Sequence, residues 1–411
     1  MKKYDIGFDR AYQLAMEHVP IMESERLPIS DAYGRVIATD IHALVDSPSI
    51  RASTKDGYAV LSTDVETATA EKPLQLAVLG QVAAGGLCAQ AVFSGKTIRV
   101  LTGAPIPEGA DAVLADEFVI QKDGSILAIA DSPRGKNILP CGADVQKGQR
   151  IAEKGSVLTP QLACLIAAGG IHTLEVTGSP VVGLLATGSE VLLPGSSMES
   201  GKLFASNVVL QEGWLRNRRF ATRLLHAGDD DVQIRHAVET MISESDVLLT
   251  SGGAWKGDRD LTVSVLESLG WRKIFHHVRM GPGKAVGMGL LYGKPVFCLP
   301  GGPTSNEMAF FMIALPAIFK MTGYRTSPFI HLVGMLESDI QGDVDWTQFV
   351  ECRIIPSGQT VMLRPEKLQS RLVSIARTQA IVQIPEGTSV ISAGTDVPFI
   401  CINNDVFSMM R

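Results

Sequence analysis

Three stretches of the chain place glycines, hydroxyl groups and carboxylates directly after apolar runs. They are "LLATGSEV" (184–191), "LLTSGGAWKGDRD" (248–260) and "FCLPGGPTSN" (297–306). Glycines after a strand let backbone N–H groups face an anion, and a following helix adds the partial positive charge of its N-terminus. A single Gly pair is more often a tight turn, but three such stretches in one segment predict an anion or nucleotide site.

Carboxylates accompany these stretches. Glu190 lies in a tight loop directly after an apolar run, whereas Asp258, Asp260 and the acidic run 229–231 each precede a helical pattern. Carboxylates beside a phosphate site usually hold Mg²⁺. For the aspartates the alternative is equally simple, since acids at a helix N-terminus serve as caps and favour the helix dipole. Glu190 is therefore the strongest candidate of the set.

The second stretch also places an aromatic ring and two cations beside its glycines. Trp255 either packs over the edge of a sheet or offers a stacking surface for a flat heterocycle. Lys256 and Arg259 are either solvated or add positive charge to an anion site. His276 and His277 have no acidic or Cys partner at metal spacing, which favours a structural or surface role.

Two earlier stretches, "STKDGYAV" and "RVLTGAPIPEGADAVL", offer Asp56 and Thr102 at the boundaries of strand-like runs. Ordinary turns explain both, because Asp-Gly is a common turn dipeptide. Two prolines nevertheless preset the backbone of the loop that presents Thr102, which favours a functional loop. Lys55, next to Asp56, is either solvated or part of the same anion site.

Composition limits the protein class. The 411 residues suggest two to four domains, and 45% hydrophobic with 19% charged residues is a globular balance. The net charge of −6 argues against nucleic-acid binding. Six scattered cysteines without a C-x-x-C pair argue against a zinc site or disulfide framework and favour the cytoplasm. The N-terminus has no apolar signal core, and the longest apolar run is too short for a bilayer.

The order of apolar patterns predicts a multidomain α/β plus β protein. Short strands separated by Gly and Pro turns fill about 54–130, and strand–helix alternation runs from 180 to about 328. Such alternation predicts a mostly parallel sheet with helices on both faces and a ligand site at the carboxyl ends of its strands. The tail from about 329 is rich in strands again and predicts a small β domain.

Taken in order, these motifs resemble the molybdopterin molybdenumtransferase family, also called the gephyrin E-domain family. The resemblance covers nearly the whole chain and includes "DGYAV", "LLATGSEV", "LFASNVVL", "LLTSGG…GDRDL", "PGK" and "GKPVFCLPGGP". It implies a discontinuous mixed domain (1–45 and 140–178) and an inserted β domain (46–139). An α/β molybdopterin-binding domain of adenylyltransferase type (179–328) and a C-terminal β-barrel (329–411) would follow.

The resemblance also implies a reaction: molybdate or tungstate enters adenylylated molybdopterin, with Mg²⁺-dependent release of AMP. Carried over by motif, the implied catalytic residues are Asp56, Thr102, Glu190, Asp229 and Asp260. The implied metal ligands are Glu190, Asp258 and Asp260. The implied binding residues are Thr187, Gly188, Ser251, Gly252, Gly253, Trp255, Lys256, Lys284, Pro300, Gly301, Gly302 and Ser305.

Partners follow from the same resemblance. It implies an elongated homodimer whose active site combines the α/β domain of one subunit with the inserted domain of the other. Molybdopterin adenylyltransferase and proteins that mature molybdoenzymes are further candidate partners, and neither a nucleic acid nor a membrane is expected.

The chain departs from the family pattern inside the pocket motifs. Ala254 and Trp255 replace a Val-Ser pair, Gly302 replaces an Asn, Gly281 a basic residue and Ala205 an Asp. These changes suggest a divergent paralogue. Three hypotheses follow: a transferase with its own oxyanion preference, a non-catalytic protein that binds or delivers the pterin or cofactor, and a structural scaffold with only the β tail in its favour.

Overall fold

The computed structural model describes residues 6–87, 89–252, 261–357, 360–366 and 371–402. The chain forms two compact units, Met1–Ser24 with Thr177–Arg411, and Glu25–Val176. None of the described helices is long and apolar enough to cross a membrane. The first elements are strand β1 (Ile6–Gly7) and helix α1 (Phe8–His18).

The unit Glu25–Val176 is built mainly from short strands. Its elements are β2 (Ser24–Pro28), β3 (Ile41–His42), β4 (Ala52–Ser53), β5 (Gly57–Val60), α2 (Ser62–Val65), β6 (Leu74–Val82), β7 (Lys96–Val100), β8 (Ala112–Ala115), β9 (Val119–Lys122), β10 (Ser125–Ala128), β11 (Ile138–Leu139), β12 (Arg150–Ala152), α3 (Pro160–Ala168) and β13 (Thr173–Thr177). Six of the strands form one sheet in the order β8-β5-β7-β6-β10-β9. Buried residues from 32–43 and 145–176 share a separate core, so two distant stretches pack together.

The α/β part follows as β14 (Val181–Thr187), β15 (Val191–Leu192), β16 (Leu203–Phe204), α4 (Ser206–Asn217), β17 (Ala221–Ala227), α5 (Asp231–Glu244), β18 (Val247–Ser251), α6 (Leu261–Ser268), β19 (Arg272–His276), β20 (Val278–Gly281), β21 (Gly287–Leu291), β22 (Lys294–Leu299), α7 (Pro303–Ala309) and α8 (Leu315–Met321). Its sheet has the order β17-β14-β18-β22-β21-β19. The first four strands are parallel, as the sequence predicts. The edge strands are antiparallel to their neighbours, β21 to β22 and β19 to β21, and this was not predicted.

Both faces of this sheet are buried, which explains its apolar strands. Leu184 and Leu249 belong to the core that includes α1, α4, α7 and α8. Leu185 and Leu248, one position along each strand, belong to the core under α5 and α6. Successive side chains of a strand point to opposite faces, so an uninterrupted apolar run fills two cores at once. The three-layer α/β arrangement predicted from the sequence is confirmed.

The closing apolar helix is continuous but not uniform. Residues 310–314 form a π-helical turn between α7 and α8, and the N–H of Leu315 bonds to the carbonyl of Phe310. Pro316 has no N–H to offer the carbonyl four residues before it, so the regular α-helical pattern fails just there. The sequence predicts one buried helix, and the structure differs from this prediction by the π turn at 310–314.

The C-terminal part contains β23 (Ile330–Leu336), β24 (Ile340–Gln341), β25 (Thr347–Ser357), β26 (Thr360–Pro365), α9 (Arg371–Arg377), β27 (Ala380–Ile384), β28 (Val390–Ile391) and β29 (Asp396–Cys401). Five strands close into a barrel in the order β25-β26-β23-β29-β27, because β25 also pairs with β27. The predicted β-barrel is therefore confirmed. Helix α9 was not expected, and the exact domain boundaries stay predictions.

Two buried carboxyl groups join α7 to the barrel. Glu307 is 2% exposed and Glu351, on β25, is 7% exposed. Burial, with the adjacent charge of Glu351, raises the pKa of Glu307 to about 9, and burial also raises the pKa of Glu351. Glu307 therefore keeps its proton at neutral pH, and its carboxyl O–H donates a hydrogen bond to the Glu351 carboxylate.

This pair predicts that stability falls as pH rises. The unfolded chain loses the proton of Glu307 near 4.5 and the folded chain near 9, so the free energy of unfolding declines between these pH values. Glu307→Gln keeps a neutral, hydrogen-bonding side chain. Its thermal midpoint should exceed that of the wild type at pH 8, by roughly 2–4 °C for each kcal/mol by which the substitution raises the free energy of unfolding. Near pH 4.5 the two midpoints should match.

Glu337→Gln is the matched control with the opposite sign. Glu337 on the barrel rim accepts two bonds from Arg364, at 2.5 and 2.6 Å, and these lower its pKa. The control should be less stable than the wild type at pH 8 and approach it as the pH falls. A Glu307→Gln midpoint that tracks the wild type at every pH would contradict the shared proton.

Candidate functional site

Four parallel strands of the α/β sheet end at one edge. Ala186 on β14 pairs with His226 on β17 and with Ser251 on β18, and Ser251 pairs with Leu299 on β22. The strands therefore stop at nearly the same level. The structure thus brings the three glycine stretches singled out in the sequence to the same edge, apart from residues 253–260.

Backbone atoms of these loops approach each other closely. Gly252 has φ +120°, and a Cβ there would lie 2.1 Å from the carbonyl oxygen of Thr187. A Cβ on Gly301 would lie 3.6 Å from the Cα of Gly252. Only glycine fits at 252, for both conformational and steric reasons. The first and second stretches are consequently in direct backbone contact, with the third beside them.

Two asparagines, which were not predicted as site residues, tie the loops together. Asn306 donates to the Ser251 hydroxyl at 3.0 Å and to the carbonyl of Pro300 at 2.7 Å. Asn207 donates to the Ser251 hydroxyl at 3.3 Å and to the carbonyl of Gly301 at 2.9 Å. Each asparagine lies in the first turn of a helix and follows a serine, so the repeated Ser-Asn pair was the available signal.

The loop after β14 is fixed by a reciprocal pair of hydrogen bonds. The Asp229 carboxylate accepts from the N–H of Ser189 at 2.9 Å, and the Ser189 hydroxyl accepts from the N–H of Asp229 at 2.8 Å. Asp230, by contrast, is the N-cap of α5. Asp229 therefore positions the loop, and one of its carboxylate oxygens is already used.

Glu190 folds back over Gly188 and stays exposed. A Cβ on Gly188, which has φ +133°, would lie 2.8 Å from a Glu190 carboxylate oxygen. The described residues contain no group of three or more potential metal ligands. Mg²⁺ usually needs only one or two protein carboxylates beside substrate phosphates, so a single exposed carboxylate at this edge is chemically compatible with it.

Lys284, Gly302 and Ser305 also lie near this edge. Gly302 is the N-cap of α7, and Ser305 lies in its first turn, half-buried. Lys284 precedes β21, whose first residue Gly287 pairs with Cys298 close to the end of β22. The Lys284 side chain is exposed. One cation and two more glycine-loop residues thus lie at the same end of the sheet.

Asp56 and Thr102 form a single unit within Glu25–Val176. Both the N–H and the hydroxyl of Thr102 donate to one Asp56 oxygen, at 2.7 and 2.8 Å. These two bonds lower the pKa of Asp56, with a smaller contribution from the Arg99 cation. Asp56 directly precedes β5, and Thr102 follows the antiparallel neighbour β7, which explains their contact. From the sequence, Asp56 and Thr102 were predicted as two separate site residues.

The remaining predicted site residues lie outside the described residues. They are Gly253, Trp255, Lys256, Asp258 and Asp260, together with the neighbouring Arg259. Their predicted roles stay predictions.

Comparison with known proteins supports the same family along the chain. Residues 6–170 match the family model "MoeA N-terminal region (domain I and II)", and residues 183–320 match "Probable molybdopterin binding domain". A molybdopterin molybdenumtransferase of Haemophilus influenzae is 31% identical over 325 residues, 78% of each chain. One from Bacillus subtilis is 28% identical and covers 98% of this chain and 96% of its own.

A solved structure agrees over almost the full length. The molybdopterin biosynthesis moeA protein of Pyrococcus horikoshii superposes with a TM-score of 0.86 at 28% identity, and the match covers 97% of this chain and 100% of that one. Matching family models, relatives of matched length and this superposition together show that the chain belongs to the molybdopterin molybdenumtransferase family.

Proposed function

We propose that this protein acts in molybdenum cofactor biosynthesis and inserts molybdate or tungstate into adenylylated molybdopterin, with release of AMP. One observation carries the proposal: three glycine loops meet at the strand ends and are tied together by Asn207 and Asn306. A preorganised set of backbone groups is suited to phosphate and oxyanion, because stabilising their charge requires fixed donors rather than covalent chemistry.

Each site residue has a proposed task. The backbone at Gly252, Gly301 and Gly302 would hold the anionic groups, and Lys284 would add one positive charge. Glu190 would hold Mg²⁺ together with the sequence-predicted Asp258 and Asp260, and bound Mg²⁺ would offset charge on the phosphate oxygens. Asp229 would keep the Glu190 loop in place through Ser189.

The alternative of a non-catalytic pterin or cofactor carrier is not favoured. Relatives from several bacteria that match nearly the full chain are named molybdopterin molybdenumtransferase. We also propose a cytoplasmic site of action, since the described cysteines Cys141, Cys164, Cys298, Cys352 and Cys401 are all free thiols. Molybdopterin adenylyltransferase and proteins that mature molybdoenzymes stay candidate partners.

We further propose a homodimer. In it, Asp56 and Thr102 of one subunit contribute to the strand-end site of the other, that is, the site formed by the three glycine loops at the carboxyl ends of the strands. The support is the family resemblance. Within this proposal, the two Thr102 bonds lower the pKa of Asp56 and favour its ionised form. A carboxylate held ionised and exposed is ready to orient a substrate or a hydrated metal ion.

The first prediction from the proposed function concerns the reaction itself. With Mg²⁺ and adenylylated molybdopterin, AMP release should depend on molybdate or tungstate, and Asp260→Ala should lose it by roughly 10²-fold or more, as expected for loss of a transition-state charge partner. Chromatography of released AMP with molybdate, tungstate or neither measures this. Tight pterin binding without AMP release in any condition would leave only the carrier alternative.

The second prediction uses the Asp56–Thr102 contact. Thr102→Val removes the hydroxyl bond but keeps the backbone bond, so the pKa of Asp56 should rise and the acid limb of kcat/KM should move to higher pH. Thr102→Ser retains the hydroxyl and should leave the limb in place. Identical profiles for the two variants would contradict the assigned role.

The third prediction tests the shared site. Asp56→Ala and Asp260→Ala subunits should each be inactive alone. After mixed refolding, heterodimers should contain one intact site, so a random mixture should recover about a quarter of wild-type activity. Co-expression with two affinity tags isolates the heterodimer. If the heterodimer has the normal dimer mass but is completely inactive, Asp56 and Asp260 act in a site formed by a single subunit.

A further inference from the structure

Among the described residues, Lys284 contacts an aromatic ring and no acid. Its ammonium lies 4.8 Å from the centroid of the Trp346 ring. Within the described residues it forms no ion pair. A cation over an indole face gains electrostatic attraction and keeps its full charge. A carboxylate would also hold the lysine but would compete with any anionic ligand.

The backbone on both sides of this contact is fixed. The carbonyl of Lys284 accepts from the N–H of Val278 at 2.9 Å, and the N–H of Val286 donates to the carbonyl of Gly283 at 3.0 Å. Gly283 has φ +115°, with Met280 packed where a Cβ would stand. The loop from β20 to β21 therefore presents Lys284 from a rigid base.

Trp346 is presented by an equally ordered turn. Its N–H donates to the carbonyl of Asp343 at 3.0 Å, and the Asp343 carboxylate accepts from the N–H of Asp345 at 3.0 Å. Strand β25 begins at the next residue and pairs with β20, with Met280 opposite Thr347. This pairing brings the turn of the C-terminal part next to the loop that carries Lys284.

We propose that Trp346 is a positioning residue that holds the Lys284 ammonium ready for the anionic groups of the substrate. The inference rests on the proposed function for the nature of that substrate, and it assigns the barrel a part in the site. Lys284 is the only cation between Gly281 and Val286, so its placement determines the charge of this loop. Trp346 acts through the lysine and need not touch the substrate.

The test is a double-mutant cycle. Trp346→Leu should raise the KM for adenylylated molybdopterin about threefold to tenfold, the range expected for a lost cation–π contact, and leave kcat little changed. Trp346→Phe should rescue most of the loss. In a Lys284→Met background, Trp346→Leu should have no further effect, because the group it positions is gone.

Tyr292→Leu is the matched control, since this exposed aromatic lies at the opposite end of β21. Thermal unfolding should show all variants folded. An equal KM increase from Trp346→Leu with and without Lys284 would overturn the proposal, as would an unchanged KM in Trp346→Leu.

A second readout needs no turnover. After reductive ¹³C-methylation, the Lys284 methyl signals should be shifted upfield by the Trp346 ring, and Trp346→Leu should abolish the shift. AMP and molybdate serve as the binding probes, and AMP should bind more weakly to Trp346→Leu than to Tyr292→Leu. A missing ring shift, or equal AMP binding by the two variants, refutes the positioning role. Absent AMP release with both effects present refutes only the proposed reaction.

Discussion

The buried amide of Asn306 is the interaction on which the geometry of the strand-end site depends. It is 1% exposed, donates to both Ser251 and Pro300, and accepts from Gln211 at 2.7 Å. These bonds join the ends of β18 and β22 to α4 in a largely apolar core. Leaving such buried groups unpaired costs about 1–3 kcal/mol each, so the loops are held in one arrangement rather than several.

The arrangement of strands and helices explains which parts of the fold could be predicted from the sequence. Apolar strands of the α/β part fill two cores, so their runs are uninterrupted and their parallel order follows from the helices between them. The strands that pair with β20 could not be predicted from the sequence. It pairs with β1, where Ile6 lies opposite Val278, and with β25, where Met280 lies opposite Thr347, so both partners are distant in the sequence. Pairings between residues so far apart in the chain leave no local pattern in the sequence.

The candidate site divides in a similar way. Glycines, hydroxyls and carboxylates beside strand ends were visible because their types are unusual after an apolar run. Asn207 and Asn306 were not, because an amide in a first helical turn looks like any polar cap until its partners are known. Glu307 shows the limit most clearly, since an acid in an apolar helix gains meaning only from Glu351 on a distant strand.

The departures from the family pattern change other side chains, while the loops are held by the glycine backbone and by the amides of Asn207 and Asn306. A side chain at Gly281 would begin 2.6 Å from the Gln348 amide oxygen, so the basic residue of the family pattern has no room here unless Gln348 moves. Lys284, held by Trp346, is then left to supply the charge of that loop. Gly252 is more tightly restricted, because the obstacle to a side chain there is the backbone carbonyl of Thr187 rather than a side chain that could move. A pocket built in this way can change its charges and aromatic surfaces without losing the loop geometry that we propose for anion binding.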